Sequence, residues 1–210
     1  ERMERGCREG HRPPENEVRN VAERDLGAAV VGLHDESLAR FPDPRARGAV
    51  LVHPGAAIPQ RLWAADRWAA VIDRLARTGN PVLLIGGPSD HRVVEAIAGT
   101  CAENVGPLFP EAKELVGLVR GARMMLCLDS GPMHLAVTRG TPILALFGPG
   151  DPRLWHPPGP HDRWIKKVDQ TVYNPRIAGE PCDVEGMHPS MAAIGAEEVA
   201  AAARAMLEEV

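Results

Sequence analysis

Aromatic residues make up only 4% of this 210-residue chain, so its core has to be assembled mainly from Ala, Val, Leu and Ile. Cysteine is equally sparse. Cys7, Cys101, Cys127 and Cys182 stand apart with no Cys-x-x-Cys spacing, which excludes a paired-cysteine metal or redox motif and fits reduced thiols in the cytoplasm. No apolar run approaches the roughly 20 residues of a membrane helix, and the charged stretch from Glu1 to Asn20 is no signal peptide. There is no excess of positive charge: the net charge of −4 argues against a nucleic-acid surface. No Gly-x-Gly-x-x-Gly follows any predicted strand, which argues against a nicotinamide oxidoreductase.

What the chain does have is turns, with 21 Gly and 20 Pro, set between short apolar runs. Hydrophobic content of 44% and charged content of 25% are those of a globular protein. Residues 1–47 show no core of useful size. The segment 18–26 reads as one amphipathic helix ended by Gly27, and Phe41 to Gly48 reads as linker. From Ala49 the pattern becomes regular, with strands expected over 49–52, 81–85, 105–108, 124–128 and 143–147. Helices are expected over 66–78, from Asp90 to about Ala98 with Gly99 as the stop, over 111–120, and from Met133 toward Gly140. In the first of these, Trp68, Val71, Ile72 and Leu75 fall on one face. Trp155 to Pro160 reads as loop, 164–168 as an edge strand, 173–194 as irregular, and 196–207 as a terminal helix with Val199, Ala203 and Met206 on one side.

Strands alternating with helices at this spacing imply an α/β fold, a parallel sheet with helices on both faces. In such sheets ligands sit beyond the carboxyl ends of the strands. Four polar or glycine-rich turns fall there: His53-Pro54-Gly55, Gly86-Gly87, Asp129-Ser130-Gly131 and Gly148-Pro149-Gly150. The third is the most pointed. The run Met124 to Leu128 is broken by Asp129, followed by Ser130 as N-cap, Gly131 for close backbone approach and Pro132 in the first helical turn. Free amides at such a helix start, carrying roughly half a positive charge, form a phosphate cradle without a Walker lysine. An ordinary βα turn accounts for the same residues.

The motifs DSGPMHLA and TPILALFGPGDP, in this order after a strand ending in His53-Pro54-Gly55 and a basic residue near Trp63, resemble glycosyltransferase family 9, the heptosyltransferases. The similarity covers about 49–155 and, less fully, the terminal helix. It implies a Rossmann-like second half of a GT-B fold: 1–47 would end a missing acceptor domain plus linker, 48–195 would bind the nucleotide-sugar donor, and 196–210 would be the closing helix. By the same resemblance the enzyme is inverting and metal-independent, and works in the cytoplasm. It moves a sugar, by family default a heptose, from a nucleotide diphosphate sugar to a glycan or lipid-linked acceptor. Any peripheral membrane contact would come through the missing domain, which would also hold the general base. No cofactor beyond the donor is expected. There is no Asp-x-Asp, and Cys182 with His188 is too small a set for zinc.

On that resemblance Arg61 stabilises the departing diphosphate, standing where the family usually has lysine. Ser130, Gly131, Pro132, Met133 and His134 bind the donor, with Gly55, Gly86 and Gly148 in the neighbouring turns. Asp129 fits two roles, a turn former or a polar donor contact. Asp90 fits a ribose hydroxyl or a helix cap, and His53 orients the Gly55 turn or simply ends its strand. Gly150 and Asp151 line the sugar side. Two other readings stay open: a non-catalytic sugar-nucleotide module needing a partner chain, and a sugar-nucleotide epimerase.

Overall fold

The computed structural model describes residues 41–159, 161–167 and 187–210. The expected helix over 18–26, the segment 173–186, and Cys7 and Cys182 lie outside the described residues.

Among the described residues six parallel strands carry the fold: β1 (Val50–His53), β2 (Val82–Ile85), β3 (Pro107–Leu108), β4 (Met124–Leu128), β5 (Ile143–Leu146) and β6 (Arg163–Ile165). Between and after them run α1 (Ala65–Ala76), α2 (His91–Thr100), α3 (Ala112–Gly121), α4 (Gly131–Thr138), the single turn α5 (Pro152–Trp155), the short α6 (Pro189–Ala192) and α7 (Ala196–Glu209). The strand order is β3-β2-β1-β4-β5-β6. The chain therefore winds outward from β1 in one direction, then returns to lay β4 on the other side. Register pairs Val50 with Val82 on one side of β1 and with Met124 on the other. The winding reverses between β1 and β4, and the carboxyl ends beside such a break are where open α/β sheets bind ligands.

β4 shows why both sheet faces are covered. All five of its residues are buried, and successive side chains point to opposite faces. Met124, Leu126 and Leu128 join Trp68, Ile72 and Leu75 of α1, Ile97 of α2 and Val199 and Met206 of α7 in one core layer. Met125 and Cys127 join Leu118 and Val119 of α3 and Met133 and Ala136 of α4 in the other. Both amphipathic faces expected from sequence, that of α1 and that of the terminal helix, are buried.

Three hydrogen bonds moor the segment after β1 to the backbone just before α7. Trp63 Nε1 donates to Ile194 O at 3.2 Å, and Arg67 Nη1 donates to Ala192 O at 2.6 Å and Ile194 O at 2.8 Å.

The structure corrects several expected boundaries. α2 runs through Gly99 to Thr100 and is closed by Cys101; burial of Val94 and Ile97 on the sheet outweighs the roughly 1 kcal/mol that a helical glycine costs. β3 is confined to Pro107–Leu108. Residues Pro152–Trp155, expected partly as loop, form α5 because Asp151 caps Arg153 N–H at 2.9 Å. β6 begins at Arg163 and ends at Ile165 rather than spanning 164–168. Within the stretch expected to be irregular, His188 caps α6 by accepting from Ser190 N–H.

Candidate functional site

Arg61 ends the 3₁₀ turn Pro59–Arg61, which Pro59 starts with its fixed φ. The turn follows β1, yet its guanidinium reaches across the winding break to the end of β4. Nη1 donates to the Asp129 carbonyl at 2.9 Å, and Nη2 stands 3.2 Å from Asp129 Oδ2. Nη2 is off the hydrogen-bonding direction, so Oδ2 has a cation beside it but no donor, and Arg61 Nε is likewise buried without an acceptor. Asp129 is 3% exposed. Burial pushes its carboxyl above the usual range, while Arg61 and Lys166 oppose that shift.

Ser130 occupies the N-cap position of α4, but its side chain does not cap the helix. Its Oγ donates backward to Leu128 O at 3.2 Å, which corrects the expected capping role. Met133 N–H is spent on Ser130 O at 3.1 Å, and the Met133 side chain is in the core. The helix start is otherwise open to a ligand: Ser130, Gly131, Pro132 and His134 are half-buried rather than covered. Above it, His134 and His156 face each other electrostatically. Burial, then His156, then Arg61 push the His134 imidazole down to about 4, and burial lowers His156 as well. His134 therefore enters neutral conditions uncharged.

The third wall is the turn after β5. Gly148, Pro149 and Gly150 are buried. A Cβ on Gly150 would come within 2.4 Å of Asp129 Oδ2, and one on Gly148 within 2.4 Å of Met191 Sδ. Only glycine lets this turn close onto β4 and α6 together. Asp151 is turned to its own cap and to Arg153.

On the other side of β1 lies a separate stitch. His53 Nε2 is 3.5 Å from Asp90 Oδ2, and Asp90 Oδ2 accepts from Gly87 N–H at 2.8 Å. His53 holds the Asp90 carboxyl below its ordinary range against the opposing pull of burial, with the Gly87 amide helping. Asp90 stands at the N-cap of α2 without capping it by side chain; its carboxylate instead ties the β1 and β2 turns together. His53 is the last residue of β1 and faces this carboxylate, on which Gly55 packs directly. Gly86 is buried and donates to Leu108 O at 3.0 Å.

The sequence reading named Arg61, Asp129, Ser130, Gly131, Pro132 and His134, and the structure brings them to one corner. It missed His156 and Lys166, whose neighbours in sequence look like solvated loop and edge strand.

The His134 shift has a measurable consequence. Between about 4 and 6.5 the unfolded chain takes up a proton that the folded chain refuses, so this stability is intact above 6.5 and lost as pH falls through 4. Asp129, with its raised carboxyl, works in the opposite direction. Comparing the unaltered protein with His134→Gln removes that shared contribution. Urea unfolding is expected to show the unaltered protein losing about 2 kcal/mol relative to the variant between pH 7.5 and pH 5. Parallel curves would refute a neutral buried imidazole.

Comparison with known proteins adds an independent line. The family model for glycosyltransferase family 9 (heptosyltransferase) matches residues 23–175. Lipopolysaccharide heptosyltransferase 3 of Escherichia coli (strain K12) is 30% identical over 166 residues, covering 76% of this chain and 46% of that protein. The solved glycosyl transferase family 9 protein of Veillonella parvula superposes with a TM-score of 0.66 at 24% identity, covering 92% of this chain and 52% of that one. The ADP-heptose lipopolysaccharide heptosyltransferase II of E. coli superposes with a TM-score of 0.65 at 24% identity, covering 89% and 52%. The chain spans about half the length of the relatives it matches.

Proposed function

The chain belongs to glycosyltransferase family 9, and from that premise we propose that it is the donor-binding half of an enzyme that transfers a heptose from ADP-heptose to a lipopolysaccharide-type acceptor. The observation that carries the reading is Arg61, held against Asp129 across the β1–β4 break at the open start of α4. A departing diphosphate needs positive charge and preorganised donors where its negative charge develops. Arg61 offers a forked guanidinium, and the first turn of α4 adds amides and the positive end of its dipole. The name of the E. coli heptosyltransferase II supplies the choice of ADP-heptose as donor.

In this reading the reaction is a single displacement. A base in the other half of the enzyme takes the proton of the acceptor hydroxyl. That oxygen attacks the anomeric carbon as the bond to the diphosphate breaks, and the configuration inverts. Neutral His134 donates a hydrogen bond to a phosphate oxygen or the sugar without bringing a charge. Residues 48–195 form the donor domain with α7 as its closing helix, and the stretch before them belongs to the acceptor half and crossover. The work is done on the cytoplasmic side, with membrane approach left to the acceptor half; among the described residues no helix is long and apolar enough to cross a membrane.

Calorimetric titration of the chain with ADP and with UDP tests the reading. Saturable binding of ADP to one site per chain is expected, with UDP weaker. No heat from either nucleotide would overturn it.

A further inference from the structure

We propose that His91 is the platform on which the base of the donor nucleotide stacks, an inference that rests on the donor-site reading above. His91 opens α2 beyond the Gly86-Gly87 turn, and Phe109 is the first residue after β3. The two rings lie face to face, with centroids 3.7 Å apart and planes 11° from parallel. Phe109 packs against the core layer that α1 and α2 share. It also lies beside Gly86, where a Cβ would come within 3.6 Å of its ring. The stack is thus built outward from the core: Phe109 is held in place and holds His91 in turn. One face of the imidazole is spent on Phe109, yet the His91 side chain is still 53% exposed. A lone histidine at a helix start loses rotamer freedom when a ligand settles on it; here Phe109 has already fixed the ring, so that cost is reduced.

Position decides what such a surface meets. In the strand order β3-β2-β1-β4-β5-β6, the stack stands at the carboxyl ends of β2 and β3, and Arg61 meets Asp129 at those of β1 and β4. The two places are two strand spacings apart, about 10 Å, a distance that a ribose and its phosphates can bridge. Asp90, which accepts from the β2 turn and faces the end of β1, falls between them. An exposed, backed π-surface at that distance from an anion site suits a nucleobase, because every base has a π-face and stacking asks for no particular hydrogen bond. Phosphate and base are then held by different strands' turns, with Asp90 tying those turns together.

The test follows ADP and inorganic pyrophosphate, which has no base, on the unaltered chain, His91→Leu and His91→Phe. Calorimetry reads ADP, and displacement of a fluorescent ADP reads pyrophosphate. His91→Leu keeps Phe109 covered and removes the π-surface; it is expected to weaken ADP binding about tenfold and leave pyrophosphate within about twofold. His91→Phe is expected to bind ADP within about threefold of the parent. Equal losses for ADP and pyrophosphate mean a merely structural stack and overturn the proposal, as does unchanged ADP binding by His91→Leu or a loss in His91→Phe as large as in His91→Leu. Should His91→Leu not fold, His91→Ala is read by the same criteria. In His91→Trp, saturating ADP is expected to quench the added indole fluorescence, taken as the difference from the parent, and pyrophosphate to leave it unchanged; no quenching by bound ADP overturns the placement of the base. Failure of the unaltered chain to bind ADP removes the donor-site reading itself, an outcome distinct from variants that bind like the parent.

Discussion

Replacing Arg61 with alanine is expected to weaken ADP binding at least a hundredfold, the largest effect of any single change at this corner. A hundredfold corresponds to about 2.7 kcal/mol, within reach of one or two charge-assisted hydrogen bonds to phosphate at roughly 1.5–3 kcal/mol each. The variant also removes the cation beside Asp129, a carboxylate with 3% exposure. Breaking a buried pair from one side costs about 3 kcal/mol or more, and here Lys166 and protonation of the already raised carboxyl soften that cost. Stability should therefore fall less than binding does. Arg61→Lys keeps the charge but cannot engage the Asp129 carbonyl and a phosphate with one rigid fork; a loss of about tenfold is expected, and this variant keeps the test valid should Arg61→Ala fold poorly. Calorimetry with ADP reads both. Affinity unchanged in Arg61→Ala would remove Arg61 from the site.

A second large effect is expected on stability rather than on binding. Gly55→Ala places a Cβ 2.3–2.5 Å from the carboxylate carbon and both oxygens of Asp90. Asp90 cannot swing aside cheaply, because the same carboxylate holds Gly87 N–H and faces His53. Overpacking of this kind costs roughly 1–3 kcal/mol, and losing the amide bond adds about 1 kcal/mol, so a loss near 3 kcal/mol is expected in denaturant unfolding. Asp90→Ala alone should cost less. In the double variant the clash is gone, so the two losses should add to clearly less than their sum. Simple additivity would show that the β1 turn moves freely and that the stitch is incidental.

These two residues also show how far a sequence can be read. The run Met124 to Leu128 ending at Asp129 declares a buried strand and a polar turn, and order along the chain puts that turn at the ligand edge of a parallel sheet. Arg61 declares much less. By itself it looks like any surface arginine; only the winding break, which sets β1 beside β4, carries its guanidinium to Asp129, 68 positions away. Asp90 was legible as an acid near the turns but not as their tie, since that depends on a glycine 35 residues earlier yielding its space. Lys166 was not legible at all. It stands in a run of exposed-looking charges, and the clue was its register: the residue after an edge strand paired with β5 must emerge beside the Gly148–Gly150 turn. Gly99 misled because local preference was set against burial of Val94 and Ile97, and burial prevailed.

Trp63 and Arg67 anchor the segment just beyond Arg61 to the backbone of Ala192 and Ile194. The proposed grip on an anion would thereby be entrusted to a backbone 131 positions further along the chain. Trimming or fusing at the carboxyl-terminal side is for that reason no cosmetic edit: freeing Ile194 would slacken the hinge on which the guanidinium hangs, and affinity would fade before the fold did.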